Sequence, residues 1–270
     1  MRSAYSITNA NVGRIRALHS DIVETHPTVT YPHTEPMFPP TNLRLYKPGR
    51  VCRFKYKDHA QIVIDRATDS PVDMVAILNH NLLDTAIVRI GHATTINGQY
   101  SWHYLTASAG NSFWRQLPSI QARHWRLIIE WVNNSTTVGN NPVELGELWL
   151  GKMELLPPFT WGLQESVEHV DAFDESEYGV PSAHFLSRKR IFRGSFPVLK
   201  GAEAVEVMDF FKSVQGRVRP FLFIPDVSNN FDVILGRFRD QVLSKSHVFP
   251  GHVEGLEFNF QEDPWGKTGV

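Results

Sequence analysis

Apolar and polar positions alternate with a two-residue period along most of this chain. In Ala122-Arg123-His124-Trp125-Arg126-Leu127-Ile128-Ile129 and on to Trp131, the residues Trp125, Leu127, Ile129 and Trp131 share one face. Arg126 and Glu130 take the other, as in a half-buried strand. Ala60–Asp65 reads as a short strand, and Met74–Leu78 as a second, central one, because it is apolar on both faces. Ala86–Gly91 and Leu145–Gly151 add two more. Asn97-Gly98 carries the residues of a type I′ hairpin turn. Regular structure is expected to begin at Thr41–Tyr46, and Asn133–Pro142 reads as an exposed loop. Strands about ten residues apart, separated by Gly, Asn and Pro, predict a β-sandwich.

The segments on either side differ. Pro27, Pro32, Pro36, Pro39 and Pro40 interrupt the N-terminal stretch, so residues 1–40 are expected to form an extended arm over the sandwich surface. Pro157-Pro158 cannot continue a central strand, which puts a boundary there: a sandwich over 41–156 and a second domain over 157–270. In that domain an acidic segment (Glu165, Glu168, Asp171, Asp174, Glu175, Glu177) precedes a basic strand at Arg188–Phe196. Ala204, Val207, Met208, Phe211 and Val214 fall on one stripe at helical spacing, predicting a helix over 201–214 with Gly216 as its cap. Arg219–Asp226, bracketed by Pro220 and Pro225, reads as a short buried strand, and Val233–Phe238 and Leu256–Glu262 read as further strands. The fold class is therefore mainly β, with one packed helix.

Composition narrows the function. Formal net charge is −1 over 270 residues, with no concentrated excess of Lys and Arg to hold nucleic acid. Neither a leader-like apolar segment nor a run approaching the roughly 20 apolar residues of a membrane span occurs, so a soluble chain made in the cytoplasm is expected. The single cysteine, Cys52, precludes an internal disulfide and reads as a small hydrophobe in a strand.

Candidate chemistry is sparse. The 12 histidines form no HExxH and no His-x-His pair, and there is no P-loop, GxGxxG or GxSxG. His80, in Asn79-His80-Asn81, reads as part of a cluster that satisfies backbone groups at a strand exit, not as a general base. We therefore expect no catalytic residue, metal or cofactor. Tyr100, Trp102, Tyr104 and Trp114 are candidates for stacking on a sugar; alternate members of the set could equally face the core. The acidic residues Glu165, Glu168, Asp171 and Asp174 and the basic residues Arg188, Lys189, Arg190 and Arg193 are candidates for a head-to-tail subunit contact.

Four segments, Val75–Leu82, Ala122–Leu127, Glu144–Gly151 and Arg219–Asp226, resemble a family of siphovirus-type bacteriophage and prophage tail-tip proteins, in order over about residues 40–262. The resemblance implies a galactose-binding-like jelly-roll sandwich joined to a domain similar to distal tail ring domains. It further implies a structural role in the virion, as a trimer or hexamer that joins tail tube to hub and fibre proteins. A carbohydrate-binding, host-recognition module is the alternative that the aromatic residues keep open.

Overall fold

In the computed structural model the described residues are 16–18, 28–30, 34–39, 42–43, 50–54, 59–107, 112–131, 142–155, 163–175, 181–196, 199–226, 229–240, 243, 246–249, 252–254 and 256–263. In chain order the strands begin with β1 (Arg16–Leu18), β2 (Thr28–Thr30), β3 (Cys52–Arg53), β4 (His59–His80), β5 (Ala86–Ala93) and β6 (Ser101–Thr106). There follow β7 (Ser112–Trp131), β8 (Glu144–Gly151), β9 (Glu154–Leu155), β10 (Gln164–Glu175), β11 (Pro181–Ser195) and β12 (Leu199–Lys200). Helix α1 (Gly201–Ser213) precedes β13 (Phe221–Ile224), β14 (Ile234–Phe238), β15 (Ser246–Phe249), β16 (His252–Glu254) and β17 (Glu257–Glu262). Contacts divide the chain into a sandwich unit (residues 20–154 with 229–233) and a C-terminal unit (1–19, 155–228 and 234–270).

Two long strands make the sandwich. The segments expected as separate strands at Ala60–Asp65 and Met74–Leu78 are the two ends of β4, whose pairing with β7 slips between Asp65 and Ser70 and again between Val72 and Met74. Such irregularities let a strand turn a corner and serve two layers. Residues 59–65 of β4 pair with 124–130 of β7, which pairs on with β5 and then β6. Residues 74–80 pair with β8, and 74–78 also with residues 112–116 of β7. Side chains from both layers, including Ile62, Ile64, Trp125, Leu127, Val88 and Leu105 from one and Val75, Ile77, Phe113, Leu148 and Leu150 from the other, form one core. The alternation read around Trp125 is what is seen: Trp125, Leu127 and Ile129 are buried while Arg126 and Glu130 are half-buried on the reverse face.

Several expectations need correction. The stretch expected as an arm supplies a strand to each unit: β1 pairs with β13, and β2 pairs with β4. Pro27 and Pro32 flank a β-branched Thr-Val-Thr, so the prolines shorten an element there without preventing it. Asn42 and Leu43 lie in a 3-10 turn, with Asn42 Nδ2 donating to the Val51 carbonyl at 2.8 Å. The β5–β6 hairpin is present, yet positive φ among the described residues belongs to Asn79, Gln215 and Gly216 and not to Asn97 or Gly98. Its loop instead closes through an ordinary turn, Gly98 N–H to Thr95 O at 3.0 Å. Residues 133–141 and Pro157-Pro158 lie outside the described residues.

The C-terminal unit contains a seven-stranded sheet in the order β10-β11-β17-β14-β13-β1-β9 and a small sheet β12-β16-β15. Its core is a Phe cluster in which Phe260 stacks on Phe192 (5.0 Å between centroids) and meets Phe223 edge-on (4.4 Å). Helix α1 buries Ala204, Val207 and Phe210 and is followed by the buried Val214, so the stripe read from the sequence is correct but omits Phe210. Gln215 (φ 53°) and Gly216 (φ 59°) end it in left-handed conformation, with Gly216 N–H donating to Phe211 O at 3.1 Å.

Candidate functional site

The outer face of the sandwich layer at β5, β6 and β7 carries Trp102 and Tyr104, with Tyr100 beside them. Register places Arg89 opposite Tyr104 and Gly91 opposite Trp102, and on the other side Arg89 opposite Ile128 and Gly91 opposite Arg126. Because β6 is the edge of its sheet, Tyr104 keeps 61% of its surface exposed. Trp102 is half-buried, with the Arg89 guanidinium 5.1 Å from its ring centre. Arg89 in turn pairs with Glu130 (Nη2–Oε1 2.6 Å). Arg126 lies 4.3 Å over Tyr100, whose hydroxyl donates to Ile96 O at 2.9 Å and whose ring is 5.6 Å from Trp102. Aromatic faces, two guanidiniums and one carboxylate thus share a single strip. This supplies flat apolar surface and directional donors and acceptors, the components that saccharide recognition uses.

The structure brings three of the four sugar-binding candidates together. Trp114 is elsewhere: it lies on the other layer, facing away from the core, and is 2% exposed. Its indole N–H donates to Asn229 O at 3.0 Å and its backbone N–H to Asn230 O at 2.8 Å. The alternation explains this, since Phe113 next to it takes the core-facing side. Tyr100, 9% exposed, acts as a support for Arg126 more than as a free platform. Arg89 and Gly91 were not singled out from the sequence; the alternation that exposes Trp102 and Tyr104 also selects them.

Behind the strip, His92 and His103 stack with ring centres 5.6 Å apart, and His92 lies 5.5 Å from Trp125. Burial holds both imidazoles below the usual histidine range, helped for His92 by the charge of His103 and for His103 by that of Arg115. The cluster at the end of β4 does what the sequence implied. Leu82 N–H donates to His80 Nδ1 (3.2 Å), Glu144 N–H to Asn81 Oδ1 (2.9 Å), and Asn81 Nδ2 to Pro142 O (2.8 Å). Cys52 is fully buried, and desolvation pushes its thiol up to about 12, which leaves it unreactive.

The acidic segment of the C-terminal unit lies, from Glu165 to Glu175, in strand β10, which is hydrogen-bonded directly to the basic strand β11. Glu168 faces Lys189 in the register, and Asp171 and Asp174 lie opposite Phe185 and Ser182. Arg190 pairs with Glu165 at 2.5 Å within the chain, and the exposed Arg188 and Arg193 stand on the same strand.

No family model and no curated protein matches the chain. Among solved structures it is similar to a Streptococcus pneumoniae fucose-binding module (13% identity, 49% of this chain and 98% of that one, TM-score 0.39). Another is a chitosan-binding module of a chitosanase/glucanase from Paenibacillus sp. IK-5 (12%, 50% and 100%, TM-score 0.41). A third is a Clostridium perfringens module solved with GalNAc-β-1,3-galactose (9%, 49% and 100%, TM-score 0.41).

Proposed function

We propose that the chain is a non-catalytic carbohydrate-binding protein whose sandwich unit takes a saccharide on the β5–β6–β7 face. The observation that carries this reading is the strip itself: exposed Tyr104 beside half-buried Trp102, with Arg89, Arg126 and Glu130 placed around them. Tyr104 and Trp102 would lie against the C–H face of a sugar ring, and the charged groups would bond its hydroxyls. The test is a glycan array probed with the full chain, followed by titration of any hit against Trp102→Ala and Tyr104→Ala. Saturable binding that falls at least about tenfold in either variant is expected, from the loss of stacking. An array without a hit, or a hit indifferent to both changes, overturns the reading.

A second reading, a structural component of a phage tail tip that assembles as a trimer or hexamer with tube, hub and fibre proteins, has its own supporting observation. Among the described residues strand β11 pairs with β17 over Ile191–Ser195, whereas its pairing with β10 runs on to Pro181 as a two-stranded ribbon. Two-stranded ribbons are marginal alone, and a neighbouring subunit would stabilise this one. Light scattering at several concentrations tests it: a discrete trimer or hexamer, lost on reversing Arg188, Lys189 and Arg190 to Glu, is expected. A monomer at all concentrations counts against self-assembly.

A further inference from the structure

The C-terminal sheet has a second face, opposite its Phe core, and that face is rich in arginine. Strand alternation that turns Phe192, Phe258, Phe260 and Phe238 inward turns Arg193, Asn259, Gln261 and Arg237 outward. Arg193 is paired with Asn259 and Arg237 with Gln261, while Arg239 N–H donates to Asn259 O at 2.9 Å just beyond the end of β14. With Arg217, which follows α1, they line an open groove of about 500 Å3. Four guanidiniums meet one carboxylate in this lining, that of Asp240. Arg237 is held by Asp263 and by the Val218 carbonyl. Among the described residues Arg193, Arg217 and Arg239 have no ion-pair partner, and the side-chain oxygen of Asn259 is buried without a hydrogen-bond donor.

We propose that this groove binds a phosphate ester carrying free hydroxyl groups, such as a phosphorylated saccharide. Planar guanidiniums grip phosphate oxygens through paired N–H donors, and three of them without carboxylate partners concentrate positive charge where the chain as a whole is nearly neutral. Asn259 and Gln261, whose neutral side chains line the same groove, add amide donors and acceptors for the hydroxyl groups of such a ligand. The site is separate from the aromatic strip and rests on none of its residues.

Isothermal titration of the full chain with glucose 6-phosphate, inorganic phosphate, glucuronate and glucose tests this. Glucose 6-phosphate is expected to bind most tightly, with affinity that falls as salt rises. The double change Arg193→Gln with Arg239→Gln should weaken it at least about tenfold, the scale of a lost charged hydrogen bond. Asn259→Ala should remove its advantage over inorganic phosphate, and Trp102→Ala should leave it intact. Circular dichroism and thermal unfolding establish that each variant is folded; Arg193→Gln alone, on an exposed side chain, serves if the double variant is not. Absence of saturable binding by glucose 6-phosphate overturns the proposal. So do affinity equal to that of inorganic phosphate or glucuronate, and insensitivity to the arginine changes.

Discussion

The Trp102 ring lies on the backbone of its cross-strand partner Gly91, so closely that a Cβ at Gly91 would fall 2.7 Å from Cε3 of the indole. Glycine is required here by the ring and not by the backbone, since Gly91 is not among the residues of positive φ. Gly91→Ala should push the indole off the sheet, at a cost of about 1 kcal/mol, the low end for an overpacked site. If the strip binds sugar, the same change should abolish binding while the fold persists. Thermal unfolding and glycan titration together check this, and binding at the original affinity would remove Trp102 from the recognition surface.

The stacked His92 and His103 should make the sandwich acid-sensitive. Their folded pKa values are depressed, so the unfolded chain takes up protons more readily. Their contribution is fully present above the ordinary histidine value of about 6.5 and is lost as pH falls through the folded values. The unfolding midpoint should drop between about pH 7 and about pH 5. His103→Gln, which removes one charge and relieves His92, should flatten that dependence. An unchanged slope in the variant would assign the acid sensitivity to other groups.

Much of this was legible in the chain, for reasons that differ by element. Strands with one wet face declare themselves, as at Trp125-Arg126-Leu127, because burial alternates residue by residue. Helix α1 was readable from its stripe, whereas Phe210 escaped because its ring enters a Phe cluster that the linear pattern does not display. Joining Ala60–Asp65 to Met74–Leu78 depends on pairing with β7, a long-range relation with no local trace. Trp114 looked as available as Trp102, and what separates them is a backbone segment over a hundred residues away, at Asn229 and Asn230. The arginine groove was hidden for the same reason, since Arg193, Arg217 and Arg239 are dispersed in sequence and meet only in the folded C-terminal unit.

Gly146 is a backbone position of the sandwich with no room for a side chain. Asn79, left-handed at φ 51° and 2% exposed, sits against it, and a Cβ at Gly146 would lie 2.6 Å from Asn79 Cβ and 3.1 Å from Leu78 O. Neither neighbour can swing away, one being a main-chain atom and the other fixed to the main chain. Gly146→Ala should therefore cost about 3 kcal/mol, the upper part of the overpacking range. Chemical denaturation checks this; a loss below about 1 kcal/mol would mean that β8 shifts to make room.

Glu262, at the end of β17, is expected to behave in the opposite sense to the histidines. Its Oε2 accepts the Arg190 N–H at 3.2 Å, but burial raises its pKa above the ordinary carboxylate range, and this outweighs that bond and the attraction of the Arg190 and Arg188 charges. The folded protein consequently holds the proton more tightly than the unfolded chain does. That preference stabilises the fold fully below the unfolded value of about 4.3 and is lost as pH rises through the raised one. Glu262→Gln keeps an acceptor for Arg190 and cannot ionise. It should be more stable than the parent at neutral pH, with a margin that shrinks as pH falls toward about 4. Urea unfolding at the two pH values measures the difference. A variant less stable than the parent at neutral pH would mean that attraction to Arg188 and Arg190 exceeds the cost of burying the charge.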